Sequence, residues 1–202
     1  CALCVVRLSG KQAIAIADRV FRGRKSLLQA RTATVHYGRI VDGEEVVDDV
    51  LLSLFRSPHS YTGEDSVEIS THGSRYVVER VIALLVREGA RMAEAGEFTR
   101  RAFMAGRMDL AQAEAVADLI AADSHASHAI ATTQMRGAYS DELRTLRDRL
   151  LHITSLLELE LDFSEEDVEF ADRTELVRLM EEIAAKIESL TASFALGRAI
   201  KE

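Results

Sequence analysis

The spacing of apolar and polar residues differs between two regions of the chain, and it changes near Phe98. Before that point, short apolar runs typical of strands are mixed with helical patterns. The continuous apolar run from Ala2 to Leu8 predicts a buried strand. Three more strands are predicted by alternation or β-type composition, over residues 32–40, 45–55 and 65–71.

Two segments of the first region have helical spacing. Gln12 to Phe21 carries its apolar residues on one face, and Tyr76 to Val86 does the same before a stop at Gly89. The resulting order is strand, helix, three strands, helix and one further strand. This order predicts an α/β sandwich built on a mixed sheet.

From Phe98 onward the strand signals disappear. Asp109 to Ala122 is Ala-rich and amphipathic, with Asp109 as its N-cap. Long helical patterns follow over residues 127–161 and 173–196, separated by an acidic segment over residues 162–170. The predicted fold class is therefore α+β, with a mixed α/β domain over residues 1–97 and an all-helical domain over residues 98–202.

The net charge of −8 is concentrated in the last third of the chain. Residues 141–202 hold 16 acidic and 8 basic side chains, whereas residues 1–140 hold 17 of each. The acidic part is a poor non-specific nucleic-acid binder, so any RNA contact needs a local basic patch or a partner. Arg22-Gly23-Arg24-Lys25 could form such a patch, although a solvated loop is the favoured interpretation.

Cysteine and histidine positions argue against a metal site. Cys1 and Cys4 lie three positions apart in a strand, on opposite faces, so they can share neither a disulfide nor a metal. His125 and His128 share a helical face but lack further ligands, so surface histidines are favoured. We predict no metal ligand and no catalytic residue.

Cellular placement is predicted from what the chain contains. Two cysteines fit a reducing cytosol, and no apolar run approaches the ~18 residues of a membrane span. The chain begins without Met inside an apolar run, so we expect residues to precede Cys1 in the parent protein. A cytoplasmic location without a membrane partner is the expectation.

Two charged residues interrupt predicted strands. Glu68 points away from the apolar face, as an exposed carboxylate or as one that reads a ring N–H and an exocyclic amine together. Arg7 lies in the first apolar run, where burial of Arg is costly unless it is paired. An edge salt bridge and a ligand-facing cation are the two interpretations of Arg7.

Other segments offer an anion site beside a simpler interpretation. Gly73 follows a predicted strand and precedes a predicted helix. The helix N-terminus there could bind an anion, or the segment is simply a strand-turn-helix connection. Arg100, Arg101 and Arg107 cluster in a predicted helical region, where a solvated face is favoured over anion binding. The phosphate-binding pattern G-x-x-x-x-G-K-[ST] is nowhere in the chain, so the chain offers no recognisable means of binding a nucleotide.

Several motifs in collinear order resemble one known family. They are Val5-Val6-Arg7-Leu8-Ser9-Gly10, Ser60 to Asp65 with Glu68 and His72-Gly73, Gly96 to Ile120, and Leu161-Asp162-Phe163 with Glu165-Glu166-Asp167. Together they resemble the tRNA modification GTPases known as MnmE or TrmE, and the resemblance covers the whole chain.

The resemblance implies a domain plan. Its N-terminal domain resembles the folate module of the glycine-cleavage aminomethyltransferases, binds 5-formyl- or 5,10-methylene-tetrahydrofolate and forms a homodimer. A helical domain follows, interrupted by a G domain that uses GTP, Mg²⁺ and K⁺. This chain would stop where the G domain begins, without the family's C-terminal Cys-x-Gly-Lys loop, and should not hydrolyse GTP alone.

The resemblance also implies roles for three residues. Arg7 and Glu68 match folate-binding positions, and Arg107 falls where relatives often carry Lys. Glu68 would orient the pterin ring, while Arg7 and Arg107 would position the folate. Ser74 replaces a second Gly found in many relatives, which would narrow the approach to the backbone.

The implied activity is tRNA modification. With a flavin-dependent partner called MnmG or GidA, the parent protein would add a (carboxymethyl)aminomethyl group at C5 of the wobble uridine, using a tetrahydrofolate one-carbon unit. One alternative is a non-catalytic dimerisation and docking scaffold. Another is a free-standing folate-dependent one-carbon transferase, against which the helical domain argues.

Overall fold

The computed structural model of the chain describes residues 2–162 and 173–201. Contacts between residues divide the chain into two compact units, unit 1 over residues 1–122 and unit 2 over residues 123–202. Unit 1 contains the sheet and unit 2 is helical, so the predicted α+β class is confirmed. The boundary predicted after residue 97 stays a prediction.

One five-stranded sheet organises unit 1. Its strands are β1 (Leu3–Ser9), β2 (Phe21–Gly23), β3 (Thr34–Asp42), β4 (Glu45–Phe55) and β5 (Ser66–His72). Their order is β1-β5-β4-β3-β2, and every neighbouring pair is antiparallel. The expectation of a mixed sheet was wrong, because the helix after β1 carries the chain to the opposite edge and not to a neighbouring parallel strand.

The core lies between one face of this sheet and two helices, α1 (Ala13–Val20) and α2 (Arg75–Arg87). Alternate residues of the central strands point into it, among them the fully buried Leu52, Leu54 and Ile69. The residues between them point to the other face, where Val35, Tyr37 and Leu51 are exposed. The patterns of apolar residues therefore predicted strands β1, β3, β4 and β5. The expectation that the first strand is buried was wrong, because β1 lies at the sheet edge and exposes Leu3 and Val5.

The sequence pattern missed β2 and the 3₁₀ turn Leu27–Gln29. Phe21 continues the apolar stripe of α1 but already belongs to β2. Its ring covers two strand glycines, and a Cβ built on Gly38 would lie 2.6 Å from ring Cε2. Only glycine allows this close packing, which fixes the edge strand against β3.

The chain after α2 also differs from expectation. The further strand predicted there is not formed, and residues 90–96 make an irregular connection between Gly89 (φ 107°) and Gly96 (φ 74°). Two helices follow, α3 (Glu97–Met104) and α4 (Leu110–Ala121). Asp109 caps α4 as predicted, in a reciprocal capping box with Gln112.

Unit 2 contains three described helices. The single pattern over residues 127–161 forms two of them, α5 (His125–Met135) and α6 (Ala138–Asp162), because Gly137 at φ 82° breaks the helical backbone. Helix α7 (Arg173–Lys201) packs on α6 through the buried Leu146, Ile153 and Leu179. Most of the predicted acidic break, from residue 163, lies outside the described residues.

Candidate functional site

The register of the sheet brings Arg7 and Glu68 together. Arg7 on β1 lies opposite Glu68 on β5, although the two are 61 positions apart. Arg7 Nε donates to Glu68 Oε1 at 2.8 Å, and Nη2 lies 2.7 Å from the same oxygen. Both contacts fall on Oε1, so this ion pair leaves Oε2 open to a further donor.

Two aromatic rings flank the Arg7 guanidinium. Its Cζ lies 5.3 Å from the ring centre of Tyr61 and 5.6 Å from that of Phe98, within cation–π range. The Tyr61 hydroxyl lies 3.1 Å from Thr99 Oγ1, which ties the loop before β5 to helix α3. Sequence reasoning missed both rings as site residues, because an aromatic in a loop and one at a helix start have simpler explanations.

A cavity of about 390 Å³ opens beside Glu68. Tyr61, Glu68 and Arg107 contribute to its wall. The Arg107 stem runs past Gly63, where an added Cβ would lie 3.6 Å from Arg107 Cγ and Cδ. Gly63 has φ 78°, a conformation that glycine adopts without strain. The structure thus places Arg107 at the same cavity as Glu68.

A second cavity of about 490 Å³ is lined in part by Arg7. Part of its wall is apolar, from β1, α1 and α2, and Phe98 and Arg101 add an aromatic and a charged element. Arg7 lines this cavity whereas Glu68 lines the first one. The ion pair therefore contributes one residue to the wall of each cavity.

A buried carboxylate holds α3 in place beside the site. Glu97 is 3% exposed and accepts from Arg101 Nη2 at 2.6 Å and from the backbone N–H of Glu94 at 2.8 Å. Hydrogen bonds from Arg91, then from that N–H and Arg101, hold the pKa of Glu97 well below its usual range. Arg101 Nη1 also reaches Glu64 Oε2 at 2.9 Å, which links α3 to the loop before β5.

The basic cluster of the sequence is divided by these contacts. Arg101 is paired with two carboxylates, and the hydrogen bonds that it donates to Glu97 and Glu64 raise its pKa. Arg100 is exposed and lies 3.5 Å from Glu94. Arg107 is the member that lines the cavity beside Glu68. The three therefore form no joint anion site among the described contacts.

The other candidate positions have surroundings of their own. His72 at the end of β5 is pinned by Asp48, whose two oxygens accept from its backbone N–H at 2.8 Å and contact Nδ1 at 2.6 Å. Ser74 begins α2 without a side-chain cap hydrogen bond. His125 and His128 are exposed on α5, and Cys4 is a half-buried free thiol.

Two family profiles match consecutive parts of the chain. The profile described as the GTP-binding protein TrmE N-terminus matches residues 1–107, and the MnmE helical domain matches residues 110–202. The chain belongs to the TrmE (MnmE) family. The predicted resemblance is thereby confirmed, and Arg7, Glu68 and Arg107 all fall within the TrmE N-terminal match.

Curated relatives of the family are similar throughout the chain. The tRNA modification GTPase MnmE of Bacteroides fragilis is 57% identical over 199 residues, which is 97% of this chain and 43% of the relative. The proteins of that name from Flavobacterium johnsoniae and Porphyromonas gingivalis are 54% and 50% identical, over 99% and 98% of the chain. The chain spans less than half the length of these relatives, 43% in each case.

Helix composition bears on one further expectation. Among the helices that the structure describes, none is both long enough and apolar enough to cross a lipid bilayer.

Proposed function

We propose that this chain is the folate-binding and helical part of a tRNA modification GTPase. The support is family membership and relatives named tRNA modification GTPase along almost the whole chain. In the parent protein, GTP with Mg²⁺ and K⁺ would be bound by a G domain outside these residues. With the flavin-dependent partner MnmG (GidA), a cytoplasmic protein of this kind would add a (carboxymethyl)aminomethyl group at C5 of the wobble uridine.

The observation that carries the folate part is the arrangement around Glu68. A pterin ring presents a ring N–H beside an exocyclic amine, and a carboxylate can accept both. Glu68 lies at the wall of a cavity of about 390 Å³. Its Oε2 can accept from the ligand directly, and its Oε1 can do so once the hydrogen bond from Arg7 is replaced. Tyr61 supplies an aromatic surface at that cavity, and Arg107 supplies a cation for a carbonyl or carboxylate.

Ligand binding in this arrangement requires a change of partners. Both nitrogens of Arg7 that approach Glu68 contact Oε1, so a heterocycle that takes both oxygens displaces at least one of them. The released guanidinium stays between Tyr61 and Phe98, where it can donate to an acceptor of the ligand close to Glu68. The pterin ring carries such an acceptor, the carbonyl oxygen beside the N–H that Glu68 would bind.

Calorimetric titration of the chain with 5-formyl-tetrahydrofolate tests this proposal. We expect binding by the unaltered chain and a loss of at least about tenfold in affinity for Glu68→Ala, because hydrogen bonds to a charged group are removed. Asp49→Ala is the matched control, since Asp49 is an exposed strand carboxylate that is paired with Arg39. Its affinity for the folate should stay within about twofold.

The outcomes separate the alternatives. Unchanged affinity in Glu68→Ala would make the role of Glu68 wrong. No binding by any variant, repeated with the parent protein that includes its C-terminal loop, would favour the non-catalytic scaffold. Binding by the parent protein alone would show that the loop completes the site.

We also propose that unit 1 forms the homodimer through the sheet face opposite its core. One row across four strands of that face runs Val5, Ser70, Leu51, Tyr37, and its three apolar members are at least half exposed. An exposed row in which three of four residues are apolar is typical of an interface. Light scattering should give twice the 22.3 kDa chain mass, and Leu51→Lys should shift the protein to monomer; a monomeric unaltered chain would contradict the proposal.

A further inference from the structure

The edge of the sheet at β2 carries an excess of positive charge. Residues 19–41 contain six Arg or Lys side chains and no Asp or Glu, in a chain whose net charge is −8. Elsewhere in unit 1 basic and acidic residues are intermixed. A one-sided stretch of this kind is the electrostatic signature of a surface that meets a polyanion.

Most basic residues of unit 1 are neutralised by a carboxylate, but four residues of this stretch are not. Among the described ion pairs, Arg19 pairs with Glu88 and Arg39 with Asp49. Within the described part of the chain, no ion pair joins a carboxylate to the remaining four. These four residues, called the basic edge below, are Arg22, Arg24, Lys25 and Arg31.

The fold concentrates this charge on one turn. Arg22 Nη1 donates to the carbonyls of Arg19 and Phe21 at 3.0 Å each, so its charge is held at the end of α1 without being cancelled. Arg56 donates from β4's end to the carbonyls of Leu28 at 2.8 Å and Ala30 at 3.0 Å. It adds a fifth positive charge to the same turn.

One acidic group borders the turn. The Asp18 carboxylate accepts from the Leu27 N–H at 2.6 Å and from the Ser26 hydroxyl at 3.1 Å. It shapes the turn and leaves a net excess of four positive charges there. All four side chains of the basic edge are exposed, and β2 is the opposite sheet edge from β1, which carries Arg7.

We propose that the basic edge contacts RNA phosphates and helps to hold the tRNA on which the parent protein acts. This inference rests on the proposed function for its choice of polyanion. Three of the four cations are arginines, whose planar guanidinium groups match phosphate oxygens in paired hydrogen bonds. Contacts of this type position the nucleic acid without reading its sequence, and they weaken as salt rises.

The test is tRNA binding by the full 202-residue chain, followed by fluorescence anisotropy between 50 and 200 mM KCl. The variant R24Q/K25Q/R31Q is suitable because none of these side chains makes a described hydrogen bond. We expect its affinity at about 100 mM salt to fall by at least about tenfold, with a salt slope about 2 to 3 units flatter, because up to three phosphate contacts are lost.

A charge-matched control separates this surface from the overall charge of the chain. The variant R75Q/R144Q/R178Q also removes three positive charges, from exposed side chains each paired with a nearby carboxylate. It should change tRNA affinity by less than about twofold. Circular dichroism should show that both variants are folded.

Several results would overturn the inference. The first two are the absence of tRNA binding by the unaltered chain and equal losses of tRNA affinity in the two variants. The third is displacement of tRNA by poly-glutamate at equal charge concentration, which would show that the basic edge binds an acidic polypeptide. Folate titration of R24Q/K25Q/R31Q should match the unaltered chain. Loss of tRNA binding alone therefore concerns the basic edge, whereas failure of the Glu68 titration concerns the folate proposal.

Discussion

The two compact units of the chain are stabilised in different ways. The core cluster of unit 1 contains fifteen buried residues between a sheet face and two helices, whereas the described core of unit 2 contains three. Helix α7 also exposes Val177, Met180 and Ile187 to more than half. Long helices gain most of their stability from tertiary packing, so unit 2 should be the weaker unit and unit 1 the rigid support of the site.

The largest expected effect is the loss of a core leucine in each unit. Leu52 and Leu179 are both fully buried, so Leu52→Ala and Leu179→Ala remove the same atoms from two environments. We expect Leu52→Ala to lower the free energy of unfolding of unit 1 by about 4 kcal/mol, and Leu179→Ala to lower that of unit 2 by about 2 to 3 kcal/mol. Two packed helices can shift toward each other and partly fill the cavity that Leu179→Ala leaves. A sheet covered by two helices can shift less, so the cavity left by Leu52→Ala stays larger.

Hydrogen exchange read by mass spectrometry resolves the two units in one experiment. In the unaltered chain, amides of α6 and α7 should exchange before those of β4 and β5. Equal protection of both units, or a larger cost for Leu179→Ala, would contradict the comparison.

An intermediate effect is expected from the charged network of unit 1. Glu97→Gln removes the charge that Arg91 and Arg101 share, and a melting temperature lower by about 5 °C or more should result. The folded-state pKa of Glu97 lies below its ordinary value near 4.5. Its contribution is therefore complete above about pH 4.5 and is lost as the pH falls further.

Melting curves between pH 5 and pH 3 measure this linkage. The unaltered chain should lose stability over that window more steeply than Glu97→Gln, which lacks the titrating group. Asp42→Asn is the control, because Asp42 also has a lowered pKa, caused mainly by Arg87, but is more exposed. Parallel curves for Glu97→Gln and the unaltered chain would show that Glu97 does not carry the effect.

The smallest effects concern two helix caps, one in each unit. Asp109 accepts from the Gln112 N–H at 2.9 Å, and Ser124 accepts from the Ser127 N–H at 3.2 Å. Asp109→Ala should cost about 1 kcal/mol and Ser124→Ala somewhat less, since its hydrogen bond is longer. Amide exchange should become faster only in the first turn of α4 or α5. Faster exchange along the whole helix would contradict a purely local role of the cap.

Elements with a clear period were predictable from the sequence, and elements set by distant contacts were not. Alternation over β5 and the capping residue of α4 predicted both elements correctly because both signals are local. Phe21 extends the apolar stripe of α1, and its pairing with Ile40 of β3 shows that it belongs to β2. The apolar rhythm of α5 continues into α6, so Gly137 alone marked the break.

The same distinction applies to the site. Residue types singled out Arg7 and Glu68, but their contact depends on the register of β1 against β5, which local sequence does not encode. Their closeness in the sequence suggested that Arg101 and Arg107 belong to one basic cluster. In the structure Arg101 is paired with the buried Glu97, whereas Arg107 lines the cavity beside Glu68. Tyr61 and Phe98 become site residues through their distance from Arg7. Three-dimensional pairing, and not composition, decides these roles.

Arg7 has a consequence for handling the protein. It lies in the middle of an edge strand whose neighbours on the same face, Leu3 and Val5, are apolar and largely exposed. A charged residue in such a strand hinders the stacking of one molecule's edge onto another's, which is how insoluble aggregates begin. Replacing Arg7 by an apolar residue would leave the exposed residues of this edge strand entirely apolar, so the soluble yield would fall together with the proposed folate binding. Arg7→Gln keeps the strand polar and lets the two losses be measured apart.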